Sequence, residues 1–164
     1  MGDLLSSDIL EQQFGPTEIS VLHQDGSARL ICTRASADGQ VLEVSRVRFM
    51  PGTDQFPKTH QAVLDGQSMG KAFRADGIKF ERKVKTAYRQ FLPASFNQWF
   101  DNNEIATVVA VSILVGPNET RYAEILEIYS PAVEWPQLSG QPTDEHSAII
   151  KLMDEFLASQ TTAR

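Results

Sequence analysis

A strand that mixes carboxylates with apolar residues constrains the fold of this chain more than any other feature. Arg121–Pro131 reads RYAEILEIYSP and follows the apolar run Ala106–Val115 across a turn at Gly116-Pro117-Asn118. The two runs predict a β-hairpin. Alternate side chains of a strand share a face. One face of the second arm carries Arg121, Ala123, Ile125, Glu127 and Tyr129, and the other carries Tyr122, Glu124, Leu126, Ile128 and Ser130. Whichever face is buried, a glutamate goes with it. A buried carboxylate is costly unless it is paired or hydrogen-bonded, so the fold must bring a cation to this strand.

The rest of the chain offers cations in matching positions. Thr17–His23 and Ala28–Ala35 alternate as strands around a turn at Gln24-Asp25-Gly26. Gln40–Met50 is a third strand after the turn dipeptide Asp38-Gly39. One of its faces carries Leu42, Val44, Arg46, Arg48 and Met50, which sets Arg46 on an apolar face. Ile78–Tyr88 alternates with Ile78, Phe80, Arg82, Val84, Thr86 and Tyr88 inward, so Arg82 joins it. Arg29 or Arg34 adds a third cation. The elements between are helical or irregular. Leu4–Gln13 predicts a short helix with Ser6, Ser7 or Asp8 as cap. Lys58–Leu64 allows one or two helical turns, and Thr53–Phe56 is loop. Ser68–Asp76 has no clear period and reads as a connection. Leu92–Asp101 predicts a helix with Pro93 in its first turn and Phe96, Trp99 and Phe100 as its apolar stripe. Thr143–Ser159 predicts a final helix capped by Thr143.

Strands in neighbouring groups without βαβ alternation predict an α+β fold. The expectation is an antiparallel sheet of about six strands with flanking helices. One domain over residues 1–164 is expected, with the last helix (about 143–159) as an addition. Such a sheet would enclose an interior into which Arg46 and Glu127 could both point. An arginine there suits bidentate grip on a carboxylate, and a buried glutamate can accept a hydrogen bond or move a proton. The set suits a small anionic organic ligand. It would serve equally as a structural Arg–Glu pair.

Composition excludes several other classes. The chain of 164 residues has a net charge of −6, which argues against a nucleic-acid surface. Its hydrophobic content of 41% and charged content of 22% are ordinary for a globular protein. The N-terminus lacks the pattern of a signal peptide, and no apolar run approaches membrane-spanning length. The single cysteine, Cys32, allows no internal disulfide, and mid-strand it reads as an inert buried thiol. His23, His60 and His146 lack ligand spacing. The expectation is a cytoplasmic protein with no metal or cofactor, no nucleic-acid partner and no membrane insertion. It would be a monomer or small homo-oligomer.

The order of short motifs resembles the chorismate lyase family, the chorismate pyruvate-lyases of bacterial ubiquinone biosynthesis, over roughly Ser6–Pro131. Ala37-Asp38-Gly39 is similar to that family's hairpin turn, and Arg46 follows Gly39 at the family's spacing. Ser68-Met69-Gly70-Lys71-Ala72-Phe73 resembles its Leu-Gly loop, and Phe80-Glu81-Arg82 its Leu-Thr-Arg strand. Glu127-Ile128-Tyr129-Ser130-Pro131 resembles its terminal Glu-x-x-x-Pro strand. The resemblance implies a six-stranded antiparallel sheet around a buried site. It also implies conversion of chorismate to 4-hydroxybenzoate and pyruvate without metal or cofactor. Glu127 and Arg46 would be catalytic, with Arg46 gripping a carboxylate and Glu127 assisting proton transfer. Arg29, Met69, Gly70 and Arg82 would bind substrate, with Arg34 competing with Arg29 as the second anion anchor. The pattern departs in places: proline follows Arg46 one residue late, the family's pocket methionine falls near Ser7, and the final helix has no counterpart in the short bacterial enzymes. The same architecture occurs in effector-binding domains of bacterial transcription regulators, which bind small molecules without catalysis. Those normally follow a helix-turn-helix, for which the segment before Thr17 is too short. An aromatic-acid-binding domain of this fold is therefore the second expectation.

Overall fold

Period-two alternation is realised in six strands of the computed structural model, which describes residues 6–162. They are β1 (Thr17–Gln24), β2 (Ala28–Ala35), β3 (Val41–Phe49), β4 (Phe80–Gln90), β5 (Ala106–Val115) and β6 (Thr120–Tyr129). All belong to one sheet in the order β1-β2-β3-β6-β5-β4. Every neighbouring pair is antiparallel. The fold is α+β, as the succession of strands predicts. Asp38-Gly39 turns β2 into β3 with Gly39 at φ 73°, a conformation that a residue with a Cβ rarely adopts. Asp25 closes the preceding hairpin by accepting hydrogen bonds from the backbone N–H groups of Ser27 and Ala28 at 2.8 and 2.9 Å.

Helices cover both faces of this sheet, which is why β5 reads as a continuous apolar run instead of an alternating one. On one face lie α4 (Ala94–Phe100) and α5 (Asp144–Thr162). Phe96, Phe100, Met153 and Leu157 pack there on Val44, Val108, Leu126 and Ile128. The Thr143 hydroxyl accepts from the His146 N–H at 3.1 Å and caps α5 as expected. On the other face lie α1 (Ser6–Phe14), α2 (Pro57–Leu64) and α3 (Met69–Ala75). Leu10 and Phe73 pack there with Val47, Val109, Tyr122 and Tyr129. The helical start expected at Leu4 lies outside the described residues.

Two elements differ from the sequence reading, each for a local reason. Ser68–Asp76 is not a mere connection. Met69–Ala75 is helical, and the Ser68 hydroxyl accepts from the Lys71 N–H at 3.3 Å. Seven residues are too few to show a helical period. Pro51–Gln55 forms a 3-10 turn instead of open loop. A Cβ on Gly52 would stand 2.1 Å from the Arg121 carbonyl oxygen, so glycine is what lets this turn lie against β6.

Two irregularities in pairing change which residues share a face. On β3, Glu43 pairs with Thr33 but Val41 pairs with Arg34, which leaves Leu42 as an extra residue. Leu42 therefore packs with the α1/α3 side and Val44 with the α4/α5 side. On β4, Val84 and Thr86 pair with consecutive residues of β5, so Lys85 is the extra residue. Arg82 and Tyr88 do not share the inward face expected for Ile78–Tyr88. Arg82 faces the α1/α3 side, Tyr88 packs beneath α5, and Val84 between them is 40% exposed.

Candidate functional site

The site is a partly enclosed cavity between the sheet and the helices α1 and α3. Its floor consists of inward residues of all six strands, Ile19 of β1, Arg29 and Thr33 of β2, Glu43, Ser45 and Val47 of β3, and Arg82, Ile113 and Glu127 of β4, β5 and β6 among them. Ser6 and Ser7 of α1 and Ser68, Met69, Gly70 and Phe73 at α3 form its roof. Gly70 is buried, so the backbone of α3 comes close to the floor. The volume is about 80 Å³.

Four buried ionisable groups line this space, and they divide into a closed cluster and an open one. Glu127 is the glutamate that the hairpin carries inward, at 3% exposed. Its cation is Arg82, whose Nη2 donates to Glu127 Oε1, and the Tyr129 hydroxyl donates to the same oxygen at 2.8 Å. The Arg82 guanidinium also lies 5.7 Å from the centre of the Trp135 ring. Burial alone would lower the Arg82 pKa, but Glu127, Tyr129 and Glu43 together outweigh it and raise it above its usual value. Burial, followed by repulsion from Glu127, pushes the Tyr129 hydroxyl well above its usual range and keeps it a donor. Glu43 faces the same cavity. Its carboxyl is raised well above the ordinary range, first by burial and then by Glu127, against the pull of Arg82. A carboxyl shifted in this direction holds its proton longer than a free one, and in that form it can donate a hydrogen bond.

Arg29 is different. It is 2% exposed and forms no ion pair among the described residues. Its Nη1 donates to the Val63 carbonyl at 3.0 Å and the Gln67 carbonyl at 3.4 Å, while its Nε has no partner. Tyr122 stands near it and donates or accepts at His60 Nδ1, 2.6 Å away. Burial lowers the Arg29 pKa, although an arginine stays charged throughout the ordinary pH range. Arg82 and Glu127 compensate each other, whereas Arg29 has no carboxylate partner among the described residues.

Of the six site residues expected from the sequence, five meet here: Arg29, Met69, Gly70, Arg82 and Glu127. Arg46 does not. In the sheet Ser45 pairs with Glu127, and Arg46 pairs with Leu126. Arg46 therefore points to the opposite face, beneath α5, and cannot act with Glu127 on one molecule. Of the two arginines weighed as a second anion anchor, Arg29 lines the cavity, whereas Arg34 lies 5.6 Å over the Trp99 ring on the α4/α5 side. Glu124 is likewise outside the cavity, where it accepts from Ser112 Oγ at 2.8 Å and lies 3.5 Å from Lys85. Glu43 is the cavity residue that the sequence reading missed. It alternates with Val41 and Val47 on β3, and that pattern was the available signal. Among the described residues, no group of three or more His, Cys, Asp or Glu is placed to hold a metal. No helix of the described residues is long and apolar enough to cross a membrane.

No protein-family model and no curated protein matches the chain. Solved structures do. The possible transcriptional regulator YydK from Bacillus subtilis is similar at 11% identity and a TM-score of 0.59, over 85% of this chain and 67% of that one. A GntR-family transcriptional regulator from Bacillus cereus is similar at 9% identity and a TM-score of 0.52, over 76% of this chain and 99% of that one. The ligand-binding domain assigned to a GntR-family regulator of Bordetella bronchiseptica gives 8% identity and a TM-score of 0.50, over 77% and 92% of the two chains. The chain has the fold of these regulator domains, which is the chorismate lyase-like fold that the motifs imply. The expected lyase acting on chorismate in ubiquinone biosynthesis is overturned. The solved structures named above are described as transcriptional regulators or their ligand-binding domain, and none as a lyase. The separation of Arg46 from Glu127 agrees with that correction. The expected absence of a nucleic-acid partner finds no support in neighbours described as transcriptional regulators.

Proposed function

We propose that this domain binds a small organic acid in the cavity between the sheet and helices α1 and α3, without converting it. The observation that carries this reading is Arg29, a buried guanidinium that lines the cavity and has only carbonyl partners. Buried charges are normally paired, and a carboxylate at Arg29 would supply the missing partner in a bidentate contact. Glu43, whose carboxyl is raised well above its ordinary range, could donate to the same anion when protonated. The Arg82–Glu127–Tyr129 cluster is already satisfied, so it shapes the wall instead of reacting. The fold shared with regulator ligand-binding domains favours this non-catalytic reading. Size narrows the ligand class. A cavity of about 150 Å³ is known to hold a benzene, and this one measures about 80 Å³. A short aliphatic acid suits it, and an aromatic acid would need α1 or α3 to move outward.

The test is differential scanning fluorimetry and calorimetric titration with pyruvate, succinate and benzoate, with the acid recovered afterwards by chromatography. At least one short acid should raise the melting temperature saturably, as a ligand of the native state must. It should be recovered unchanged, and the effect should disappear in Arg29→Gln. A saturable shift that survives in Arg29→Gln would refute the anchor, and no shift with any acid would refute the reading.

A further inference from the structure

A second cleft lies on the opposite face of the sheet, beneath the first turn of α5. Its volume is about 370 Å³, within the range of small-molecule sites. Arg46 and Arg48 of β3, Lys85 of β4, and Arg121 and Glu124 of β6 face it, and Thr143, Glu145 and His146 of α5 border it. Its cations are not equivalent. Lys85 and Arg121 each lie 3.5 Å from Glu124, so that carboxylate is already shared between them. Arg46 and Arg48 make no side-chain hydrogen bond or ion pair with the described residues. Glu145, the second carboxylate, is exposed and within 4 Å of neither. The irregularity at Lys85 on β4 is what brings a lysine to this face, and the register of β3 on β6 sets both arginines on it.

We propose that this cleft binds a small dianion through Arg46 and Arg48. Two residues apart on one strand, their backbones are separated by roughly 7 Å. Two guanidinium forks at that spacing can converge on one phosphate group or take one carboxylate each. The chain as a whole is acidic, with a net charge of −6, so two arginines without an ion-pair partner among the described residues, both lining one cleft, are a local device and not a consequence of composition. The half-buried Arg46 sits at the inner end, where Leu126 and Ala110 form an apolar floor, and Arg48 lies at the exposed rim. A dianion can engage both positions at once. A monoanion can engage only one.

The experiment titrates the full chain with inorganic phosphate, succinate and acetate at constant ionic strength, followed by backbone amide shifts. Phosphate or succinate should give saturable shifts on β3, β6 and the start of α5. Acetate should bind more weakly there, because it reaches one arginine. The Arg46→Gln/Arg48→Gln double variant should weaken dianion binding at least about tenfold with an unchanged melting temperature, and Arg48→Glu alone should do so from the exposed rim. Saturation by phosphate alone would identify a phosphate group, and by succinate alone a dicarboxylate. Shifts that do not saturate, equal affinity for acetate, or full affinity in the double variant would overturn the proposal. Arg29→Gln should leave these shifts intact, which separates failure of this cleft from failure of the cavity.

Discussion

Removing Arg82 isolates the energetic role of the charged cluster. The Arg82 and Glu127 side chains are 5% and 4% exposed. Arg82→Met leaves the Glu127 carboxylate buried with the Tyr129 hydroxyl as its remaining donor. Breaking a buried pair from one side costs about 3–5 kcal/mol, whereas replacing both partners by apolar residues is often neutral or stabilising. At roughly 2–4 °C per kcal/mol for a domain of this size, the single variant should melt about 6–20 °C lower. Urea unfolding followed by Trp fluorescence measures the free energy directly. The double variant Arg82→Met/Glu127→Met should recover most of the loss, since no charge is left unpaired. A single-variant loss below about 1 kcal/mol, or a double-variant loss equal to the sum of both singles, would refute the argument.

Two further predictions concern the same sheet. The native Glu43 carboxyl is raised above its ordinary value of 4.5, so the folded state holds the proton longer than the unfolded one. This contribution to stability is present below about pH 4.5 and is lost as pH rises through the window up to the raised native value. Glu43→Gln should therefore gain stability relative to the parent between pH 4 and pH 7 in chemical denaturation, and a constant difference would contradict the raised carboxyl pKa. Gly52→Ala should destabilise by about 1–3 kcal/mol or more, because its Cβ would meet backbone at Arg121. A melting temperature within one degree of the parent would show that the turn can move away.

Several features of the site were legible before the structure. Alternation in Arg121–Pro131 places a glutamate inside whichever way the strand turns, and the structure buries Glu127 with Arg82 as its cation. The Met69-Gly70 step does bring backbone to the cavity, although the helix around it is too short to register as a period. Arg29 and Arg34 both stood as candidate anchors, and one-dimensional spacing could not separate them.

Local alternation, with the continuous apolar run of β5, determined the six strands, the hairpin turns and the inward carboxylate, because these depend on side chains a few residues apart and on the turn chemistry between them. Tertiary structure alone decided which groups meet. A single extra residue at Leu42 or Lys85 transfers every following side chain to the other face. The pairing of Ser45 with Glu127 put Arg46 on the far side of the sheet. The isolation of Arg29 likewise depends on carbonyls at Val63 and Gln67, 34 and 38 residues away. Such long-range register comes from the packing of both sheet faces at once, and no local pattern encodes it.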